Sequence, residues 1–353
     1  MLRKTNLFIF FIAVIVFSGT LLLSLISSPG VEGGIVPIAQ RAVQGTSNKE
    51  SPFDIPKDGI YTYMGKSESQ ILKIFGKPER IDDTKYGYQW FIYGRNTDKY
   101  LQIGIDSKTR QVTTIYALGN KLRTAPLVIG EQSKKIFKSV KFSNKVSMND
   151  QNAHIEFDLN AEDMMERPLV KFGSCWVQLS LDHVSGRLMG VRYMSSEVLA
   201  LQHPYSMIYT GSLPPAPVLS GQQWQKVNSS EDLEIFDMSN ILRTRFKKSP
   251  LIWSPQAHQA AYLHSREMKV KNYFSHDSPW SGDLKTRLDK EKILFLSAGE
   301  NIAARYPDAA SVTIGWLNSI DHRENLLNGN FTELGVGSYQ NDYTQDFVQP
   351  MNK

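Results

Sequence analysis

The sequence predicts an α+β protein with more than one folded domain. Its 353 residues exceed an ordinary single domain, and its composition, 41% hydrophobic and 21% charged, is typical of a globular protein. One segment alternates apolar and polar residues with a period of two, which indicates strands, and short helical patterns accompany it. The C-terminal part carries amphipathic helices around short strand-like runs, which completes the α+β assignment.

The N-terminal residues predict attachment to a membrane. Arg3 and Lys4 precede an uncharged run over residues 7–26, long enough as a helix to span the roughly 30 Å core of a bilayer. We predict that residues 1–27 form a retained transmembrane helix, with a cleaved signal peptide as the alternative. The charges before the run place the rest of the chain outside the cytoplasmic membrane. Residues 28–59, rich in Gly, Pro, Ser and Gln, predict a flexible tether.

Charge and cysteine content limit the classes of partner and fold. The net charge is +5, but the basic excess lies before residue 231, and the remaining C-terminal part is slightly acidic. A nucleic-acid-binding domain needs a basic surface on the binding domain itself, so we predict no nucleic-acid partner. The single cysteine, Cys175, excludes an internal disulfide framework.

Residues 60–206 contain an internal repeat. Residues 100–106 match residues 176–182, and residues 112–118 match residues 188–194 at the same offset. Each copy is therefore predicted to be a helix followed by an antiparallel strand meander. We expect the duplicated units to stack their sheets, which is the simplest architecture for a repeat. The polar face of the strands is expected to be solvated, with ligand binding as the alternative.

A second folded domain is predicted over residues 230–353, after a Pro-rich linker over residues 207–229. Ser229 is expected to cap its first helix, and helices are expected to flank a small sheet. His264 falls on the apolar stripe of a later helix. We therefore predict a hydrogen-bonded core histidine at this position rather than a ligand of a bound group.

Potential chemistry concentrates in residues 272–327, where His276, Glu300 and His322 stand among aromatic and aliphatic residues. Two imidazoles and one carboxylate can form a three-ligand zinc site with an open position that activates water, or Glu300 can act as a base. The alternative is a hydrogen-bonded network that holds the loops of a cleft. A nucleophilic pair such as Ser319 with His322 is disfavoured, because sequence neighbours rarely align in this way and no GxSxG turn is present.

Seven motifs in order make the second domain resemble a known family. They are Asn240-x-x-Arg243, Ala261-x-x-His264-Ser265-x-x-Met268, Phe274-Ser275-His276, Gly299-Glu300-Asn301-Ile302-Ala303, Trp316-x-x-Ser319, His322-Arg323-x-Asn325-x-Leu327 and Gly335-Val336-Gly337. Together they are similar to the bacterial branch of the CAP (SCP/TAPS) superfamily, which includes cysteine-rich secretory, antigen 5 and pathogenesis-related proteins. The duplicated segment resembles the CAP-associated N-terminal domain of Bacillus-type envelope proteins.

The resemblance implies an α-β-α sandwich with a central cleft. In eukaryotic members of the family, the cleft holds two His and two Glu that can bind a divalent metal. His276, Glu300 and His322 fall on three of those positions, and Ser319 stands where the second Glu would fall. The cysteines that give the superfamily one of its names are absent from this sequence.

The predicted function follows from the cleft and from the N-terminal segment. We predict a cell-envelope protein at the outer face of the cytoplasmic membrane, or secreted after cleavage. Its cleft would bind a wall, lipid or peptide ligand without catalysis, through the residues His276, Glu300, Asn301, Ser319 and His322. The alternative is a metal-assisted hydrolase that holds zinc with His276, Glu300 and His322.

Overall fold

The computed structural model describes residues 55–150 and 152–351. The membrane helix predicted at residues 1–27, and the part of the predicted tether that precedes residue 55, lie outside the described residues. Among the helices of the described ranges, none combines the length and the apolar character that crossing a membrane requires. The described chain forms two domains that pack into one unit.

The first domain consists of short helices and antiparallel strands. Its helices are a 3-10 turn at Ile60–Tyr63, α1 Glu68–Phe75, α2 Ser133–Ser139, α3 Ala161–Glu166 and α4 Ser196–Gln202. Its strands are β1 Arg80–Asp83, β2 Tyr88–Tyr93, β3 Leu101–Asp106, β4 Val112–Ala117, β5 Lys145–Asp150, β6 Ala153–Asp158, β7 Leu169–Phe172, β8 Cys175–Asp182, β9 Arg187–Met194 and β10 Ser206–Gly211. Helices α1 and α2 therefore precede the two strand meanders, as the repeat predicts.

The two copies of the repeat join edge to edge. They form one seven-stranded sheet in the order β1-β2-β3-β4-β9-β8-β7, in which every neighbouring pair is antiparallel. Tyr116 of β4 stands directly opposite Arg192 of β9, and these two residues occupy equivalent positions in the repeat. The expectation of two stacked sheets is therefore wrong. Pairing β4 with β9 satisfies the backbone groups that two separate sheets would leave at their edges.

The predicted linker is shorter than expected at both ends. Residues 206–211 form β10, which pairs with β6 in a three-stranded sheet of order β10-β6-β5. The next helix, α5, spans Gly221–Arg245 and begins well before Ser229. Its cap is a capping box of Ser220 and Gln223, which satisfies backbone donors at the helix start.

The second domain is a three-layer α-β-α sandwich. After α5 it contains β11 Ile252–Trp253, α6 Pro255–Lys271, α7 Leu284–Lys290, β12 Phe295–Ala304, α8 Ala309–Asn318, α9 Ile320–Leu327, β13 Glu333–Tyr339 and β14 Asp342–Pro350. The sheet order is β11-β13-β14-β12. Helices α6 and α7 cover one face of the sheet, and α5, α8 and α9 cover the other. The arrangement agrees with the expectation of helices around a small sheet.

The polar face of the first sheet is buried against the second domain. Gln102 of β3 is fully buried and its Nε2 donates to Glu234 Oε2 of α5 at 3.0 Å. Asp237 of α5 contacts Arg80 at 2.8 Å and Arg95 at 3.0 Å. The expectation of a solvated face is therefore wrong, because α5 supplies a matching charge or hydrogen-bonding group for each of these polar side chains.

Candidate functional site

The residues predicted to line the cleft lie in the second domain, where the loop after α6, helix α7, strand β12 and helix α9 meet. His276 lies in the loop, Glu300 on β12 and His322 on α9. The side chain of His276 is 34% exposed, whereas that of Glu300 is only 3% exposed. The structure therefore brings a half-buried imidazole onto a buried carboxylate.

Two groups hold the Glu300 carboxylate. Its Oε1 lies 2.8 Å from His276 Nδ1, and its Oε2 accepts a hydrogen bond from Arg287 Nη2 at 2.5 Å. Burial favours the neutral acid and raises the pKa of Glu300, but the charge of Arg287 and the His276 hydrogen bond outweigh it and lower the pKa to about 2. Glu300 is therefore an ionised carboxylate that accepts a proton poorly at neutral pH.

The two cleft imidazoles are oriented through their Nδ1 atoms. His276 Nδ1 contacts Glu300, and His322 Nδ1 lies 2.7 Å from Ser319 Oγ. Burial and the neighbouring His276 together lower the pKa of His322 to about 4, so the His322 ring is neutral at neutral pH. Among the described residues, no hydrogen-bond partner contacts Nε2 of either ring. Both Nε2 atoms are therefore available to a ligand.

Asn301 acts inside the domain rather than in the cleft, although the sequence predicted it among the binding residues. It is fully buried, and its Nδ2 donates to the carbonyl of His322 at 3.0 Å. Asn325 Nδ2 donates to the Asn301 Oδ1 at 3.0 Å and to the Glu300 carbonyl at 3.1 Å. These amides fix β12 against α9 and thereby set the positions of Glu300 and His322.

His264 is buried as predicted, but its predicted hydrogen bond is absent. The residue is fully buried on α6, and neither ring nitrogen has a hydrogen-bond partner among the residues that the structure describes. Its Nε2 lies 3.9 Å from Glu300 Oε2, beyond hydrogen-bonding distance, because Arg287 and His276 already occupy the carboxylate oxygens. Burial lowers the pKa of His264 to about 4, so this ring is also neutral at neutral pH.

The three-ligand metal site that the sequence left open as an alternative is not found among the described residues. Within residues 55–150 and 152–351, no group of three His, Cys, Asp or Glu side chains is placed to hold a metal ion. Both oxygens of Glu300 are engaged, and one of them contacts the Arg287 cation, which would repel a metal ion. The donor set therefore does not fit zinc, and no catalytic step through a metal follows from it.

The sequence-based prediction missed Arg287 and Asp346. Arg287 Nη1 donates to the carbonyl of His276 at 2.9 Å, so one guanidinium holds both the loop and Glu300. A signal for Arg287 existed, since it adjoins Leu288 on the buried side of α7. Asp346 faces Glu300 across β12 and β14, and burial together with the Glu300 charge raises its pKa well above the usual value. No local pattern marks Asp346, because its position opposite Glu300 depends on strand pairing.

Exposed apolar side chains adjoin the cleft histidines in the chain. Phe274 is 44% exposed, Trp280 is 57% exposed, and Ile320, two residues before His322, is 55% exposed. Apolar side chains close in sequence to hydrogen-bonding ring nitrogens suit a ligand that is partly apolar and partly polar.

A three-layer sandwich with a histidine-bearing cleft is the class of domain that the sequence motifs predicted. Residues 236–351 match the family model described as the cysteine-rich secretory protein family, abbreviated CAP. Residues 64–205 match the model described as CAP-associated N-terminal. The two matches fall on the second and the first domain of the structure, respectively.

Full-length similarity supports the same assignment. The chain is 36% identical over 307 residues to a Bacillus subtilis protein named "Uncharacterized membrane protein YlbC", covering 86% of this chain and 88% of YlbC. An extracellular protein containing a SCP domain from Bacillus anthracis has a crystal structure with a TM-score of 0.79 and 36% identity, covering 86% of this chain and 99% of that one. The chain therefore belongs to the CAP family, in the form that carries a CAP-associated N-terminal domain, as the motifs predicted.

A more distant structure shares the fold. A cysteine-rich secretory protein from Staphylococcus aureus is 24% identical, with a TM-score of 0.75, and the match covers 83% of this chain and 94% of that one. The two-domain architecture is therefore common to chains with quite different sequences.

Proposed function

We propose that the CAP-domain cleft binds a cell-envelope ligand without catalysing a reaction. The observation that carries this proposal is the pair of imidazoles at His276 and His322, each oriented through Nδ1 with Nε2 left available. Exposed Phe274 and Trp280 add apolar contact area beside these hydrogen-bonding atoms. A wall, lipid or peptide component with both polar and apolar parts is the class of ligand that fits.

The same geometry gives a metal-assisted hydrolase little support. A general base works best when its pKa lies near the operating pH, but the pKa of Glu300 is lowered to about 2 and that of His322 to about 4. Arg287 also places its positive charge against the Glu300 carboxylate, which would need to be free to bind a metal ion. Binding is therefore the simpler use of the cleft.

The proposed location is the outer face of the cytoplasmic membrane, with residues 1–27 as the anchor. YlbC is named a membrane protein, and the Bacillus anthracis relative is described as an extracellular protein, and both descriptions support this location. The test is the mass of the protein in membrane and medium fractions. A full-length species confined to membranes is expected, and a shortened species in the medium would replace the anchor by a cleaved signal peptide.

Ligand binding is tested by calorimetry on the full-length protein in detergent, with soluble muropeptides and phosphatidylglycerol as separate probes. We expect one probe to bind saturably, with at least about tenfold weaker binding in the His276→Ala/His322→Ala double variant, equivalent to about 1.4 kcal/mol. The exposed His154→Ala variant serves as the matched control and should bind normally. Equal affinity in all variants would contradict binding in the cleft. New reaction products formed only by the wild type would contradict a non-catalytic cleft.

A further inference from the structure

A second pocket lies between the two domains, away from the CAP cleft. Its volume is about 330 Å³, and its walls come from β8, β9 and the end of α4 on one side and from the end of β12 and from α8 on the other. Gln178 and Arg192 line it from the first domain, and Tyr306 and Ser311 line it from the second. Small-molecule sites commonly form at such domain boundaries, and this volume is at the small end of their range.

The charged groups at the wall of this pocket are largely neutralised by partners. Arg192 Nη1 contacts Asp308 Oδ2 at 2.6 Å, and Arg167 Nε contacts Asp163 Oδ1 at 2.6 Å. Glu166 Oε1 lies 2.8 Å from His183 Nδ1, and burial raises the pKa of Glu166, which weakens its negative charge. Two further lining residues, Glu162 and Arg305, are exposed and carry opposite charges. A ligand therefore needs no net charge to complement this wall.

Hydrogen-bonding capacity is left over at the pocket. The Arg192 side chain is 2% exposed, and its hydrogen bond to Gln202 through Nη1 fixes it as part of the pocket wall. Gln178 uses its Nε2 to donate to Tyr205 Oη at 2.7 Å, which leaves its amide oxygen as an acceptor. Planar groups with adjacent donors and acceptors match neighbouring hydroxyl groups on a ligand, because each hydroxyl both donates and accepts.

Aromatic rings complete the lining. Tyr86 and Tyr306 line the pocket from two sides of the domain boundary, and Tyr86 Oη donates to the Pro307 carbonyl at 2.8 Å, which fixes its ring. An aromatic face provides apolar contact for the C–H groups of a hydroxylated ring, while its polar edge remains hydrogen-bonded. Buried planar polar groups together with tyrosine faces therefore favour a hydroxyl-rich ring over a purely apolar or ionic ligand.

We propose that this interdomain pocket binds a small, neutral, hydroxyl-rich molecule of the saccharide class. The pocket is distinct from the CAP cleft and contains neither His276 nor His322. Its occupant would touch both domains at once, so the ligand would bridge β9 and α8. This inference stands independently of the ligand proposed for the cleft.

The test is ligand-observed NMR and calorimetry on the full-length protein, with glucose and N-acetylglucosamine as neutral probes and acetate as a charged probe. We expect a neutral probe to bind with a dissociation constant in the millimolar range, as is usual for a small polar ligand with few contacts. Ser311→Trp, which places a large side chain in the pocket, should weaken this binding at least about tenfold. Ser139→Trp on the exposed surface of α2 is the matched control and should bind normally.

The fold of each variant is checked by thermal unfolding, and Ser311→Leu replaces Ser311→Trp if the larger side chain prevents folding. Loss of sugar binding in the Ser311 variant alone supports the proposal. Absence of binding by both sugars overturns it, as does sugar binding that is equal in the Ser311 variant and the wild type. Binding of acetate in preference to the sugars also overturns it, in favour of a charged ligand.

Discussion

At the scale of single residues, the cleft is organised by one buried charge pair. Arg287 and Glu300 are each 3% exposed in their side chains, and the guanidinium also holds the His276 carbonyl. Asp346 lies beside them, and burial together with the Glu300 charge raises its pKa well above the usual value, which favours its uncharged form. The Arg287–Glu300 pair thus holds His276 without a metal ion, and His322 is oriented separately by Ser319.

The first prediction concerns metal content. Because the donors do not converge and Arg287 occupies Glu300, wild-type protein and the His276→Ala/His322→Ala variant should carry the same amount of divalent metal. The measurement is elemental analysis of both proteins after purification and dialysis against zinc. A stoichiometric zinc ion in the wild type that disappears in the variant would restore the metal-site hypothesis.

The second prediction concerns pH. The folded-state pKa of Glu300, about 2, lies below its ordinary value of 4.5, so its ionisation stabilises the fold above about pH 4.5, and this stability is lost as the pH falls toward 2. Glu300→Gln removes this contribution, so the variant should be less stable than the wild type at pH 5. The difference in their free energies of unfolding should shrink by on the order of 3 kcal/mol as the pH falls from 5 to 2.

Urea unfolding at a series of pH values measures this difference. The exposed Glu324→Gln variant is the control and should follow the wild-type pH dependence throughout. Parallel curves for Glu300→Gln and the wild type would show that Arg287 does not hold the carboxylate in its charged form.

The sequence located the cleft residues better than it located their partners. His276, Glu300 and His322 stand in motifs that can be recognised one by one, and the first two are in contact in the structure. The positions of Arg287 and Asp346 beside Glu300 depend on which side of α7 and of β14 meets β12, and tertiary packing decides this. The metal prediction failed for the same reason, since residue types alone do not reveal that a guanidinium occupies the carboxylate.

At the scale of elements, helix α6 lies directly on strand β13 because two glycines leave room for it. A Cβ atom at Gly335 would lie 2.0 Å from the backbone nitrogen of His258, and one at Gly337 would lie 2.0 Å from that of Tyr262. Backbone atoms cannot move aside as a flexible side chain can. These positions therefore require glycine for close packing, independently of backbone torsion.

The third prediction follows from this contact. Gly335→Ala should destabilise the protein by about 3 kcal/mol or more, because α6 must move away from the sheet. Gly221→Ala, at the open start of α5, has no atom within 4 Å of the added Cβ and should change stability by less than about 1 kcal/mol. Urea unfolding of both variants is the measurement, and similar midpoints for the two would contradict the packing argument.

Element prediction from the sequence succeeded where the signals were local. The strand pattern of residues 100–106 and 112–118 falls on β3 and β4. The start of α5 was placed too late because Ser229 resembles a cap, whereas the capping box at Ser220 starts the helix two turns earlier. The pairing of β4 with β9 has no local signal, since any exposed strand edge can accept a partner.

At the scale of the whole molecule, charged contacts join the two domains. Asp237 is fully buried on α5 and contacts Arg80 and Arg95 of the first domain, while Lys85 contacts Glu231 at 3.1 Å. Removing one member of such a group leaves the others without their partner in a poorly solvated place. The two domains are therefore expected to unfold together.

The fourth prediction tests this coupling with Asp237→Ala, which should lower stability by about 3 kcal/mol. Cys175, buried in the first domain, reports opening of that domain through its reaction with a thiol reagent, and circular dichroism reports the whole chain. Both probes should give one coincident urea transition in the wild type and in the variant. The exposed Asp98→Ala variant should behave as the wild type, and separate transitions in the wild type would contradict coupled unfolding.

The meeting of Tyr116 and Arg192 across β4 and β9 places equivalent residues face to face. In a homodimer, two identical subunits make the same contact around a two-fold axis. The first domain has this symmetry within a single polypeptide. Covalent linkage turns an association that would depend on concentration into an intramolecular event. It also allows the two halves to differ in sequence. An arginine in one half can then face a tyrosine in the other and serve one side of the molecule alone.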